Sequence, residues 1–261
     1  MKTLRVEKDA RGVASLVLAR PEKHNAMSTE MIAELRSAAD ELGADPDVRV
    51  VVLKGDGPTF CAGGDLRWMQ DMVASSKDER REGAIFLANM LHALNTLPKP
   101  LIGRCHGNAF GGGVGLLSVC DVAIGVQGKK LGLTETRLGL VPATIGPYVV
   151  ARMGEAKARR VFMSSRIFVA EEAVDLNLLS KAVPDAELDQ AIEAEVRPYL
   201  SCSPNAVANA KALARKLGPV IDDHVIEMSA QTLVDQWDAD DAKLGLDAFF
   251  EKKDAPWVTK L

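Results

Sequence analysis

The chain has 261 residues, 47% hydrophobic and 26% charged, with a formal net charge of -4. That is enough chain to bury a full core as one large domain or as a domain with an appendage. The acidic balance supplies no global field for capturing nucleic acid, and no apolar run approaches the ~20 residues that a membrane helix needs.

Only 5% of residues are aromatic, so the core must be mainly aliphatic. Cys61, Cys105, Cys120 and Cys202 have neither CxxC nor Cys/His spacing. They read as small buried hydrophobes of a reducing compartment, with no disulfide and no metal site expected. The start, Met1-Lys2-Thr3-Leu4-Arg5-Val6, alternates like a strand and carries no secretory or transit pattern, so a cytoplasmic location is expected.

Leu4 to Val6 and Val13 to Leu18 are predicted strands of a hairpin, turned at Lys8-Asp9-Ala10-Arg11-Gly12. After the loop Arg20 to Ala26, Ser28 is a candidate N-cap. The helix that follows carries Met31, Ile32, Leu35, Ala38, Ala39 and Leu42 on one face, and Gly43 is its expected stop. Val48 to Leu53 is almost wholly apolar, as in a parallel strand covered on both faces. A short helix is expected over 66–73 and a longer one over 77–97, ended by Pro98 and Pro100. Lys77, Arg80 and Arg81 read as a solvated face of that helix.

Leu101 to Cys105 is a short strand, Gly112 to Cys120 a buried helix, and Val122 to Val126 a further strand. Strand, glycine turn, helix, strand recurs across 48–126, which is α/β organisation with right-handed crossovers. Past Gly146 only Lys181 to Val183 reads as a strand. Helical patterns fill 146–165, 185–201, 203–217 and 219–250.

Two glycine clusters follow strands: Phe60-Cys-Ala-Gly-Gly-Asp-Leu66 and Gly111-Gly-Gly-Val-Gly-Leu-Leu117. Glycine lets main-chain N–H groups come close to a ligand, and two convergent N–H groups are enough to hold an oxyanion. Leu116 stands where a dinucleotide fingerprint needs its third glycine, and no P-loop or GxSxG elbow is present.

These segments, with Gly107-Asn-Ala-Phe-Gly-Gly-Gly113, Cys120-Asp121, Leu131-Gly-Leu-Thr-Glu-Thr-Arg-Leu-Gly-Leu-Val-Pro142, Ala170 to Leu179 and Phe249-Phe-Glu-Lys-Lys253, resemble the crotonase (enoyl-CoA hydratase/isomerase) superfamily over nearly the whole chain. The resemblance implies an α/β crotonase-like spiral of ββα units around two roughly perpendicular sheets over 1–195. It also implies a C-terminal helical trimerisation region over 196–261, forming a homotrimer or a hexamer.

It further implies an acyl-CoA thioester substrate with no separate cofactor, CoA being part of the substrate. The Gly64 and Gly112 N–H groups would form the oxyanion hole. Ala62, Asp65 and Leu66 would line the adenine pocket largely through backbone atoms, the loop around Lys23 and Ala26 would border the CoA phosphates, and Glu135 would act as general acid/base. The chain departs from the family pattern at Gly115, where a second glutamate is common, and this leaves the activator of water unnamed.

Each role has a plainer alternative. The glycines could serve only tight packing, Lys23 could be solvated, and Glu135 could cap a helix or pair with Arg137. His106 and Thr134 receive no role. The glycine segment, the run around Glu135 and Trp68-Met69 are most similar to bacterial 3-methylglutaconyl-CoA and isohexenylglutaconyl-CoA hydratases of leucine and acyclic terpene breakdown. Such substrates carry a distal carboxylate, for which Arg67 and Arg137 are candidate partners, with a surface salt bridge as the other fate of each. A Δ3,Δ2-enoyl-CoA isomerase using one base and a non-catalytic acyl-CoA- or RNA-binding scaffold are the alternatives.

Overall fold

The computed structural model describes residues 1–259. Strands β1 (Leu4–Lys8) and β2 (Val13–Leu18) form the predicted hairpin. Its turn is closed by Asp9 Oδ1, which accepts from Arg11 N at 2.8 Å and Val13 N at 3.0 Å, with Gly12 at φ +81°. Helix α1 (Thr29–Ala44) starts as expected, Ser28 Oγ accepting from Met31 N. Gly43 does not end it. The helix runs on to Ala44, and Gly43 is where Pro98 packs close, a Cβ there falling 3.1 Å from Pro98 Cδ.

β3 (Val50–Gly55) and the short β4 (Thr59–Cys61) lead to α2 (Leu66–Ala74) and α3 (Lys77–Thr96). β5 (Leu101–Cys105) and β6 (Asn108–Phe110) lead to α4 (Gly112–Ser118). β7 (Val122–Val126) and β8 (Lys130–Gly132) lead to a 3-10 turn over Glu135–Leu138, then α5 (Gly146–Met153) and α6 (Glu155–Phe162).

The chain continues through β9 (Ile167–Val169), α7 (Ala170–Asp175), β10 (Lys181–Val183) and α8 (Leu188–Tyr199). It closes with α9 (Pro204–Leu217), α10 (Asp223–Trp237) and α11 (Asp240–Phe250). The 195/196 division therefore falls inside α8, whose Leu188, Ile192 and Val196 pack with Val50, Val52 and Ile102 of the large sheet.

The large sheet has the order β1-β2-β3-β5-β7-β10, parallel beyond the hairpin. A second sheet, β4-β6-β8-β9, is parallel except for its last pair. Three successive turns of the spiral, β3-β4, β5-β6 and β7-β8, thus place one strand in each sheet before the next helix. The resemblance implied two sheets, but the strands of this second one were not placed from the sequence, because three-residue strands are too short to display a period of two.

Two expected helices also divide. Gly154, at φ +76°, separates α5 from α6, and Asp238-Ala239 separates α10 from α11. Around the spiral, a continuous aliphatic core runs from Leu16 and Leu53 to Leu116 and Leu131. No described helix is long and apolar enough to cross a membrane.

Candidate active site

The short strands of the second sheet deliver the chain to its glycine turns. β4 ends at Cys61, just before Gly63-Gly64, and β6 ends at Phe110, just before Gly111-Gly112. Gly63 (φ +96°) and Gly111 (φ +48°) hold backbone conformations that a side chain would strain. Met27 N donates to Gly63 O at 2.8 Å and Asp65 N donates to Met27 O at 3.0 Å, so this segment pairs with Met27 like a strand. Alternate amides of an extended chain point to opposite sides, so the Gly64 N–H points away from Met27.

Gly112 is the first residue of α4, where helix amides have no intrahelical acceptor. The two turns are in contact: a Cβ on Gly63 would lie 3.5 Å from Gly112 N. A Cβ on Gly112 would overlap Met27 Cε, and one on Gly113 would overlap the Cys61 carbonyl oxygen. These glycines therefore serve close packing as well as backbone access.

Glu135 opens the 3-10 turn, and a Cβ on Gly111 would lie 3.0 Å from its Oε1. Its Oε2 is buried with no hydrogen-bond partner among the described residues. Burial pushes the carboxyl up to about 7, against a smaller downward pull from the backbone amides of Glu135 and Thr134. Arg137 does not neutralise it: Glu135 takes part in no ion pair among the described residues, and Arg137 is exposed.

The turn is gripped from two sides. Ser165 Oγ accepts from Arg137 N at 3.0 Å and lies 2.6 Å from Thr136 Oγ1. From the C-terminal helices, Gln236 Nε2 donates to Gly139 O at 2.7 Å, and Gly245 packs directly on the Leu138 backbone.

Gly64, Gly112 and Glu135 line one cavity of about 70 Å³. Its other walls are apolar except for Thr144 and come from Trp68 and Met69 of α2, Leu140 to Ile145, and Leu233 and Trp237 of α10. Position 115 lies beside it, but no room for a carboxylate exists there. A Cβ on Gly115 would overlap the side chain of Ile145. The α10 wall is fixed by Arg80, whose guanidinium donates to Met72 O at 2.8 Å, Val73 O at 2.9 Å and Trp237 O at 3.3 Å. Arg80 also pairs with Asp238 at 2.6 Å, so it is a clamp and not a solvated face.

The remaining candidates fall on the adjoining loop. Lys23 and Ala62 are exposed and Ala26 is half-buried, with Ala62 N donating to His24 O at 3.0 Å. Asp65 is spent within the protein: it pairs with Arg20 at 3.0 Å and caps α2 by accepting from Arg67 N at 2.9 Å. Burial alone would raise the Asp65 carboxyl, but the Arg67 amide and Arg20 guanidinium hold it below the ordinary range. Leu66 opens α2, and its side chain lies outside those described. Arg67 is exposed, and neither Arg67 nor Arg137 lines the cavity or enters an ion pair among the described residues.

His106 Nε2 bonds Gly57 O at 2.9 Å, and burial lowers its pKa, which marks a packing residue. Three contributors had no signal in the sequence. Asn25 is fully buried at φ +53° and holds the loop by donating to Asp56 O and Thr59 O and accepting from Arg20 N. Ile145 and Trp237 reach the cavity from distant segments. No cluster of three or more His, Cys, Asp or Glu side chains able to hold a metal ion occurs among the described residues.

Residues 8–260 match the family model described as enoyl-CoA hydratase/isomerase. The Crotonyl-CoA hydratase of Syntrophomonas wolfei is 28% identical over 250 residues, covering 95% of each chain. The crystal structure of an enoyl-CoA hydratase from Shewanella pealeana is 33% identical with a TM-score of 0.80, covering 98% of this chain and 96% of that one. One from Mycobacterium avium is 29% identical with a TM-score of 0.85, covering 99% and 100%.

Proposed function

The chain belongs to the enoyl-CoA hydratase/isomerase family, and we propose that it adds water to, or removes it from, the double bond of a 2-enoyl-CoA thioester. The observation that carries this reading is the convergence of Gly64, Gly112 and Glu135, whose Oε2 is buried without a hydrogen-bond partner, on one cavity. The two backbone N–H groups donate to the thioester oxygen as it takes on enolate charge. They therefore stabilise the transition state more than the ground state, each by ~3 kcal/mol.

With its carboxyl near 7, Glu135 populates both protonation states around neutral pH. The neutral acid gives its proton to the α carbon. Its other oxygen takes a proton from the water that bonds to the β carbon. H and OH are thereby added to one face, and the carboxyl ends as it began. Ile145 filling the place of a second carboxylate supports this single-group addition.

Of the branched and glutaconyl-type acyl groups anticipated from the motifs, the lining favours a short branched, uncharged one. Glu135 is the one charged side chain among the described cavity residues, and a distal carboxylate would meet no cation there. For CoA we assign the rim formed by Lys23, Ala26 and Ala62, with Asp65 as a positioning residue for the Gly64 turn. Assembly as a homotrimer or hexamer is supported by exposed apolar side chains around α9, Leu213, Leu217 and Val220.

The test is to supply crotonyl-CoA and 3-methylglutaconyl-CoA separately and follow loss of the enoyl thioester absorbance. Turnover of both is expected, with the higher kcat/KM on crotonyl-CoA; the reverse order would restore the glutaconyl specificity. Inertness toward both, with CoA binding intact, would rule out a hydratase. The same Ile145 observation also favours a second reading, a Δ3,Δ2-enoyl-CoA isomerase, which needs one base only. In deuterated water a hydratase yields a β-hydroxy product labelled at the α carbon, whereas an isomerase yields only a shifted double bond.

A further inference from the structure

Outside the acyl cavity, a cleft of about 650 Å³ lies between α5 and α9, against the C-terminal end of α4. Its described walls carry three cations, Arg152, Lys211 and Arg215, and one carboxylate, Asp121. That carboxylate is already engaged, its Oδ2 accepting from Lys211 Nζ and from Leu101 N, each at 2.7 Å. Two positive charges are therefore left without a counter-charge in the lining.

Two donors in the same wall lack acceptors. Arg152 Nη1 donates to Asp121 O at 3.1 Å, but its Nη2 is buried with no partner among the described residues. Tyr148 is 1% exposed, and its hydroxyl is likewise buried and without a partner. Residues four apart share a helix face, so both groups project from one side of α5. From the α9 wall, Arg215 lines the same cleft as the Tyr148-bearing face of α5. A buried donor without an acceptor is costly, and a charged one more so. Two of them on one face, inside a cationic cleft, call for a shared acceptor with several oxygens.

We propose that this cleft binds a small doubly charged oxyanion of the phosphate-monoester class. Arg152 Nη2 and the Tyr148 hydroxyl donate to its oxygens, while Lys211 and Arg215 supply the field that holds it. A phosphoryl group accepts from several directions at once, which suits donors arriving from α5 and α9 together. The site uses none of the residues assigned to acyl-CoA.

Calorimetric titration of the purified full chain with inorganic phosphate, at fixed ionic strength, tests this. One saturable site is expected. Arg215→Gln should weaken it about tenfold, the change produced by losing one charge-assisted interaction. Tyr148→Phe should weaken it several-fold without lowering the melting temperature in phosphate-free buffer, since it removes an unsatisfied hydroxyl. Lys23→Ala, at the acyl-CoA rim, should bind phosphate as the parent does. Absence of saturable binding, or parental affinity in Arg215→Gln, would overturn the proposal. So would loss of the site in Lys23→Ala, which would place phosphate at the CoA rim. Should Tyr148→Phe fail to fold, Arg215→Gln alone decides.

Discussion

At Glu135 the fold keeps a carboxyl in a largely apolar cavity with its Oε2 unpartnered, and burial lifts it to about 7. An unfolded glutamate titrates near 4.3. Between those values the folded chain holds a proton that the unfolded chain has lost, so this group lowers stability progressively as pH rises from about 4.5 to 7. Glu135→Gln removes that liability. The variant should match the parent near pH 4 and exceed it above pH 7 by on the order of 3 kcal/mol, read as urea midpoints at the two pH values. An equal stability difference at both would deny the buried carboxyl its raised pKa. That Gly64, Gly112 and Glu135 meet at one cavity was legible because each sits in a short contiguous motif. Ile145 was not: that it fills the space beside Gly115 depends on a contact across thirty residues, for which the local pattern has no signal.

The elements that hold these residues differ in how plainly the sequence announces them. Helix α1 declares itself by Ser28 and by six apolar residues on one face, and α3 by Pro98 and Pro100 at its end. The strands β4, β6, β8 and β9 do not, although two of them carry the chain to the glycine turns. Their three residues gain their pairing from neighbours around the spiral and not from propensity. Equally hidden is the grip of α11 on the turn that carries Glu135, which works backbone to backbone. A Cβ on Gly245 would overlap the carbonyl of Leu138, three residues from Glu135. Gly245→Ala must therefore push α11 and the turn apart. Stability should fall by about 1–3 kcal/mol, as overpacking does, and kcat by tenfold or more while CoA affinity is kept. Unchanged kcat in a destabilised Gly245→Ala would mean that α11 supports the fold but does not position Glu135.

Across the whole molecule, the spiral builds the backbone half of the site and the C-terminal helices complete its wall. Leu233 and Trp237 face the same cavity as Gly64 and Gly112, and Arg80 fastens that wall to α2. The region anticipated for trimerisation thus supplies a wall of its own chain's cavity. Periodicity could not reveal this, because an amphipathic helix shows which face is buried and not what it is buried against. The family motifs made the α/β spiral legible, while the apolar character of the acyl cavity emerges only from segments far apart in sequence. In the proposed addition one carboxyl conducts both proton transfers, and the decisive measurement is turnover of crotonyl-CoA by the parent and by Glu135→Gln. The parent should show a kcat/KM that changes with a pKa near 7, and Glu135→Gln should lose at least 10²-fold in kcat with the enoyl-CoA still bound. A Glu135→Gln enzyme that turns over at the parental rate would contradict it.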